Sequence, residues 1–376
     1  MATTHIFHKK LERVSPTRQR VMGVLFLVMA LATWGFFANQ IAPDQITTFE
    51  LSPGGSSVQL LPWQLPTLTT LYVLSIISAI LGGIQLARGF RRWTNWVLAL
   101  VVGLFIFGFL VWAAAGKSLN LIGLLNTSLS KAVPITLGAL SGILCERAGV
   151  TNIAIEGMML AGAMVGALMG SITQNSWIGL FMAILTGLLM GYLLAVLSIK
   201  YKTNQIVAGT VLNIFATGLT SYTSAKFMQT YQFLNTPPIF KQWPIPFLAD
   251  IPIIGPTFFN NNLFTYALFI FLIVLHVALF NTKWGLRVRA VGEHPKAADT
   301  LGIDVFRTRY LSVMLGGMMA GFAGGYFTLG SVGRFDEVMT AGRGFIGLAA
   351  MIFGNWKPFG SFGAGLVFGF ADSLAS

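Results

Sequence analysis

Apolar runs of about twenty residues recur along this chain, separated by short polar or basic segments, and a helix needs about that length to cross a hydrocarbon core. They cover Val21–Ala38, Thr67–Ala87, Asn95–Ala115, Leu119–Leu144, Asn152–Ile172, Trp177–Ile199, Ile206–Phe227, Leu263–Phe280 and Tyr310–Leu329. A short run, Gly344–Gly354, and a last one from Phe359 to the end complete the series. The pattern predicts an all-α, polytopic transmembrane helical bundle of about 10–11 spans, in which 344–354 is short for a full crossing. Hydrophobic residues make up 55% of the sequence, so a soluble fold would expose far too much apolar surface. The 42 glycines suit such a bundle, because Gly lets membrane helices approach closely.

A net charge of +12 invites a nucleic-acid reading, but Lys and Arg also collect in the cytoplasmic loops of membrane proteins and fix their orientation. With the N-terminus inside, only Lys117, Lys131, Lys226, Lys241, Arg334 and Arg343 of the 24 Lys and Arg fall outside or near the outer interface. Residues 1–20 then form a basic cytoplasmic tail with Lys9, Lys10, Arg13, Arg18 and Arg20. Arg88, Arg91 and Arg92, then Arg147, Lys200, Lys202 and Lys357 anchor later inner turns. The reading is therefore a multi-pass plasma-membrane protein in contact with lipid and not with nucleic acid. Val21–Ala38 is longer than a signal peptide's apolar core, and no A-x-A site follows it, so it reads as an uncleaved span.

Several chemistries have no residues to carry them. Gly116-Lys-Ser118 echoes the end of a phosphate-binding loop, but residue 111 is Val where that loop needs Gly. His5, His8, His276 and His294 are scattered, without the paired spacing of a zinc site. There is no G-x-S-x-G elbow, and the lone Cys145 excludes an internal disulfide or a cysteine metal cluster. No cofactor is expected on this chain.

Acids near the membrane are few: Glu146, Glu156 and Asp372, with Asp336 and Glu337 near an end. Glu146 reads as a surface residue beside Arg147. Glu156 is placed four residues after Asn152, on one helix face, where it either caps a broken helix or lines a water-filled path. Thr210, Asn213 and Thr217 form a polar stripe on an apolar helix, serving either as interhelical hydrogen-bond glue or as the wall of a solute path. Between two spans lies Trp284–Arg309, the longest strongly charged segment after the tail. Its outer positives, Arg287, Arg289, Arg307 and Arg309, are explained by topology alone. Within it, Pro295 suits the first turn of a short helix, and Ala297, Ala298 and Leu301 give a small apolar ridge flanked by Lys296 and Asp299. That ridge either docks a partner or belongs to a solvated basic loop.

The segment Glu146-Arg-Ala-Gly-Val-Thr-Asn-Ile-Ala-Ile-Glu-Gly-Met-Met-Leu-Ala-Gly-Ala resembles the signature of permease subunits in ABC importers of the nucleoside and simple-sugar type, within the branched-chain amino-acid/ribose permease family. Thr203-Asn-Gln-Ile-Val-Ala-Gly-Thr-Val-Leu-Asn213, Arg289–Ile303 and Met339-Thr-Ala-Gly-Arg-Gly-Phe-Ile-Gly-Leu-Ala-Ala-Met-Ile-Phe-Gly354 agree in the same order. The resemblance covers about residues 120–376 and implies a type II ABC importer-like permease domain. It also implies a second permease subunit, an ATPase subunit with two nucleotide-binding domains that holds ATP and Mg²⁺, and an external solute-binding lipoprotein. The family's coupling helix corresponds to Glu293, His294, Pro295, Lys296, Ala297, Ala298, Asp299, Leu301 and Gly302 within a loop 281–309. Spans 21–115 lie outside the clear resemblance, and relatives continue for about one more span, so a truncated or variant end is expected. The expected cargo is a nucleoside; a simple sugar or a branched-chain amino acid is the alternative. An ion-coupled secondary transporter would call for a second intramembrane acid matching Glu156, and none is clear.

Overall fold

The computed structural model describes residues 15–51, 61–249, 251 and 254–375. Lys9, Lys10 and Arg13 of the basic tail lie outside the described residues. The chain divides into two compact units, Met1–Leu121 and Ile122–Ser376.

The first unit holds three apolar helices and a small sheet. Helix α1 (Pro16–Ala32) runs on through a wider turn at Thr33–Phe37, and is followed by β1 (Ile46–Glu50), β2 (Trp63–Pro66), α2 (Thr67–Ala87), α3 (Thr94–Ala113) and β3 (Ser118–Asn120). Gly23 and Gly82 bring α1 and α2 together, since a Cβ on either would press into Leu86 or Leu27 at 2.6 and 2.9 Å. Strand β1 pairs antiparallel with β2 and parallel with β3. Buried Thr47 ties this sheet to the helices, with its Oγ1 2.8 Å from Thr67 Oγ1 and 2.9 Å from the Val111 carbonyl oxygen. The strands are a local departure from the all-α expectation.

The second unit starts with α4 (Leu121–Glu146), which passes through Pro134 without breaking and is buried almost continuously from Ser128. It continues with α5 (Ile155–Thr173), α6 (Ser176–Ala195), α7 (Gln205–Thr223), the two-residue strands β4 (Trp243–Pro244) and β5 (Asn260–Asn261), and α8 (Leu263–Asn281). Then come α9 (Lys283–Glu293), α10 (Pro295–Thr300), α11 (Val305–Gly325), α12 (Arg343–Phe353) and α13 (Pro358–Leu374). Glycines set the core spacing: a Cβ on Gly162 would meet the Gly321 backbone of α11 at 2.9 Å, and one on Gly191 of α6 would meet Gly317 at 3.1 Å. Asn175, Asn204 and Asn262 each accept backbone N–H bonds at helix starts.

Among the described residues, nine helices are long and apolar enough to cross a membrane, and α12 is a shorter apolar helix. With the 17-residue α13 these account for the eleven apolar runs of the sequence. One boundary needs correction. Asn152 is not in α5, which begins at Ile155, so Asn152 and Glu156 do not share a helix face. The chain from Ala148 to Ala154 is instead non-helical and largely buried.

That buried stretch is possible because its polar groups are paired. Arg309 Nε donates to the Ala148 oxygen at 3.2 Å, and Thr151 N–H donates to Gln205 Oε1 at 2.7 Å. Asn213 Nδ2 donates to the Ile153 oxygen at 2.9 Å, and Asn152 Oδ1 accepts from Ala154 N–H at 3.0 Å. The stretch carries the chain inward from Glu146, beside Trp356 past the end of α12, to Glu156, beside Gly344 at its start. Eleven residues of α12 put these two levels about 16 Å apart at 1.5 Å per residue.

Candidate functional site: a half-helix cavity and an exposed loop

Glu156 lies in the first turn of α5 and is 8% exposed. Its carboxylate receives three donors from the start of α12: Thr340 Oγ1 at 2.6 Å and Gly342 N–H at 2.8 Å on Oε1, and Gly344 N–H at 2.6 Å on Oε2. A helix start leaves unpaired N–H groups and partial positive charge, and a carboxylate answers both. Gly344 permits this approach, because a Cβ there would sit 2.7 Å from Glu156 Oε2. Of the two readings open for Glu156, the cap is thus observed directly, and the same side chain also lines a cavity.

That cavity, about 580 Å³, is bounded by α5 (Glu156, Leu160), α7 (Thr210, Asn213, Ile214, Thr217) and the segment that enters α12 (Val338, Gly342, Phe345). Four of the five residues singled out for a solute path therefore meet on one cavity. Asn152 is the exception: it is fully buried, reaches toward Cys145 Sγ and Met158 Sδ, and does not line the cavity.

The stripe on α7 splits by role. Asn213 is glue, because its Oδ1 accepts from Gly157 N–H at 2.8 Å while its Nδ2 holds Ile153. Thr210 and Thr217 donate to their own helix at the Ile206 and Asn213 carbonyl oxygens, leaving hydroxyl lone pairs as acceptors toward the cavity. Phe345 is 46% exposed and adds an aromatic wall. Since the carboxylate oxygens of Glu156 are engaged by the α12 start, the lining offers hydroxyls and apolar surface but no cation.

The loop after α8 folds into two helices. Thr282 Oγ1 caps α9 at Gly285 N–H, and His294 caps α10 through Nδ1, which accepts from Ala297 N–H at 3.1 Å. Pro295 occupies the first position of α10, as its fixed φ favours. Gly302 ends it at φ +78°, with Gly302 N–H bonded to Asp299 O and Ile303 N–H to Ala298 O, a left-handed close that Gly adopts without strain. Glu293, Lys296, Ala297, Asp299 and Leu301 are exposed. Ala298 is 2% exposed, so the expected ridge is corrected: Ala298 faces this chain, while Ala297 and Leu301, the latter at 80%, are left uncovered.

Two groupings escaped the sequence reading. Asp372 accepts from Arg343 Nη2 at 3.0 Å and lies 3.6 Å from Lys131 Nζ, joining α4, α12 and α13. Glu146, expected at the surface, is half-buried and accepts from the Trp356 indole N–H. Arg147 beside it donates to the Trp356 carbonyl oxygen at 3.0 Å. Burial, and then the neighbouring Arg289, push the Arg147 guanidinium below its ordinary value, while Glu293 acts in the opposite direction. The Lys131–Asp372 and Glu146–Trp356 pairs could not be found from spacing, since more than 200 residues separate the members of each.

Residues 124–376 match the family described as the branched-chain amino acid transport system / permease component. The chain belongs to this permease family. It is similar to the guanosine ABC transporter permease protein NupQ of Bacillus subtilis, 39% identical over 251 residues, or 65% of this chain and 79% of that protein. The nucleoside ABC transporter permease protein NupC of Lactococcus lactis is 37% identical over 253 residues, with 65% and 79% covered. A putative glucose ABC transporter permease protein, TsgC13 of Haloferax volcanii, is 35% identical over 256 residues, with 67% and 76% covered. No solved structure matches the chain. The protein is a multi-pass membrane permease of the ABC type, and the matched residues fall in its second compact unit.

Proposed function

We propose that this chain is the membrane-spanning permease subunit of an ATP-driven importer and forms part of the translocation path for a nucleoside. The observation that carries the reading is the cavity of about 580 Å³, with Phe345, Ile214 and Val338 on its walls and the Thr210 and Thr217 hydroxyls as acceptors. A nucleoside is uncharged, has a flat face for an aromatic wall, and brings N–H and O–H donors. An amino acid would bring a carboxylate for which this lining holds no cation. The relatives named for guanosine and nucleosides support the same choice, and the relative named for glucose makes a sugar the rival.

The α9–α10 segment and the start of α11, with Leu301 and Phe306 exposed at 80% and 61%, are the contact for an ATPase subunit that binds and hydrolyses ATP with Mg²⁺. A second permease subunit completes the path, and an external solute-binding lipoprotein delivers the cargo. The N-terminus faces the cytoplasm of a bacterial cell, because that orientation puts most Lys and Arg inside. Residues 21–115 act outside the transport core formed by 120–376.

Competitive uptake tests the cargo. Cells expressing the complete transporter are given labelled adenosine with excess unlabelled nucleoside, glucose or leucine. Only unlabelled nucleoside is expected to suppress uptake, and Phe345→Leu is expected to raise the nucleoside KM about 10-fold through lost stacking, on the order of 1–1.5 kcal/mol. Glucose as the effective competitor overturns the nucleoside assignment in favour of the sugar.

A further inference from the structure

The turn between α12 and α13 closes α12, with Asn355 N–H bonded to Ile352 O and Trp356 N–H to Met351 O, and it is also gripped from outside the helix. Asn355 and Trp356 are both left-handed, at φ +56° and +52°. Asn tolerates that conformation, whereas a bulky Trp is a real exception. Two neighbours at the end of α4 hold the turn in place. The Trp356 indole N–H donates to Glu146 Oε2, and the Arg147 guanidinium reaches the Trp356 carbonyl oxygen at 3.0 Å and the Asn355 carbonyl oxygen at 3.4 Å.

The far side of this grip touches the loop helices. A Cβ on Gly292 of α9 would run into the Arg147 carbonyl oxygen and come within 3.2 Å of Gly149 N, so the α9 backbone rests directly on residues 147–149. Arg147 and Arg289 share the ring of Phe280, at 5.6 and 5.2 Å from its centroid. Glu146, Arg147, Arg289, Gly292, Glu293 and Trp356 line a partly open cavity of about 290 Å³. Arg289 Nε is buried there without a hydrogen-bond partner among the described residues, while Glu146 and Glu293 line the same space. A cluster with open volume and an unspent donor can re-pair, unlike a close-packed interior.

The turn's other connection is α12 itself. A Cβ on Gly347 would lie about 3 Å from Ile135 O and Ala139 N, so this glycine lets α12 pack closely on α4, and Met351 packs at Gly142. At its start, Gly342 and Phe345 form the wall of the larger cavity. The turn and the cavity wall thus lie at the two ends of one eleven-residue helix.

We infer that Glu146, Arg147 and Trp356 form a clasp that passes movement of the α9–α10 segment along α12 to the cavity wall. They are positioning residues of the transport cycle, and the inference rests on the importer reading above. Its test uses the assembled transporter, with ATPase, second permease and solute receptor, in proteoliposomes. Nucleoside uptake, ATP hydrolysis and melting temperature are measured on each variant. Trp356→Phe keeps the ring and deletes the indole N–H, and Arg147→Lys keeps the charge and loses the two-carbonyl reach. Both are expected to hydrolyse ATP within twofold of the parent while uptake per ATP falls at least about fivefold. Glu146→Gln keeps an acceptor for the indole and is expected to retain coupling that Glu146→Ala loses.

Unchanged uptake per ATP in Trp356→Phe and Arg147→Lys overturns the clasp. So does a proportional fall of uptake and hydrolysis with a lowered melting temperature, which marks a merely structural contact. If the parent itself takes up no nucleoside with ATP, the importer reading has failed rather than the clasp.

Discussion

Glu156 is the side chain on which most of the site depends. Three hydrogen bonds to one buried carboxylate hold α5 to the start of α12, and each bond to a charged group contributes more than a neutral one. Glu156→Gln replaces one acceptor oxygen with an N–H₂ group, which then faces donors. A loss of about 2–3 kcal/mol is expected, seen as a lower melting temperature of the purified chain, together with loss of uptake. Asp372 differs, because it is 35% exposed and answers two cations. Asp372→Asn leaves Lys131 and Arg343 facing each other with weaker compensation. A cost of roughly 1–3 kcal/mol is expected, between surface and buried ion pairs, and thermal unfolding in detergent checks it. Gly157 allows α5 and α7 to meet, and a Cβ there would lie 2.8 Å from Asn213 Oδ1. Gly157→Ala is expected to destabilise by about 1–3 kcal/mol on the same measurement, as overpacking does.

At the scale of elements, the α9–α10 segment separates a folding role from a docking role. Ala298→Asp puts a charge where the chain has 2% exposure, so the segment should lose its packing and protease resistance. Leu301→Asp changes a side chain that is 80% exposed, and stability should stay within about 0.5 kcal/mol. In the importer reading, uptake nevertheless falls at least 10-fold, because a charge then sits in the ATPase contact. Unchanged uptake in a normally inserted Leu301→Asp variant would remove Leu301 from that contact.

The sequence made Pro295 legible in the first turn of a short helix, since its fixed φ is a local property, whereas the His294 cap and the Gly302 stop emerged only in the structure. Which of Ala297, Ala298 and Leu301 faced outward was not legible. A six-residue helix has too few turns to establish an apolar period, and its packing partner lies outside it. The start of α5 was set three residues early for a related reason. Asn152–Ala154 continues the run that follows, and the non-helical pairing around it depends on Gln205 and Asn213, which are distant in sequence.

Across the whole molecule, hydropathy carried the fold class because lipid imposes one demand on every span. The same demand suits α12 as a half-span, since its start is answered by Glu156 and the turn after its end by Arg147. The cavity was only partly legible. Its α7 side appeared as a polar stripe, whereas Val338, Gly342 and Phe345 are joined to it only by the tertiary fold. In the importer reading, ATP hydrolysis by a partner drives a nucleoside through this permease. It is tested most directly in proteoliposomes holding the full transporter, by following labelled nucleoside uptake with ATP, with a non-hydrolysable analogue, and with imposed Na⁺ or H⁺ gradients. Uptake with ATP alone, indifferent to the gradients, is the predicted result; uptake driven by an ion gradient without ATP would contradict it.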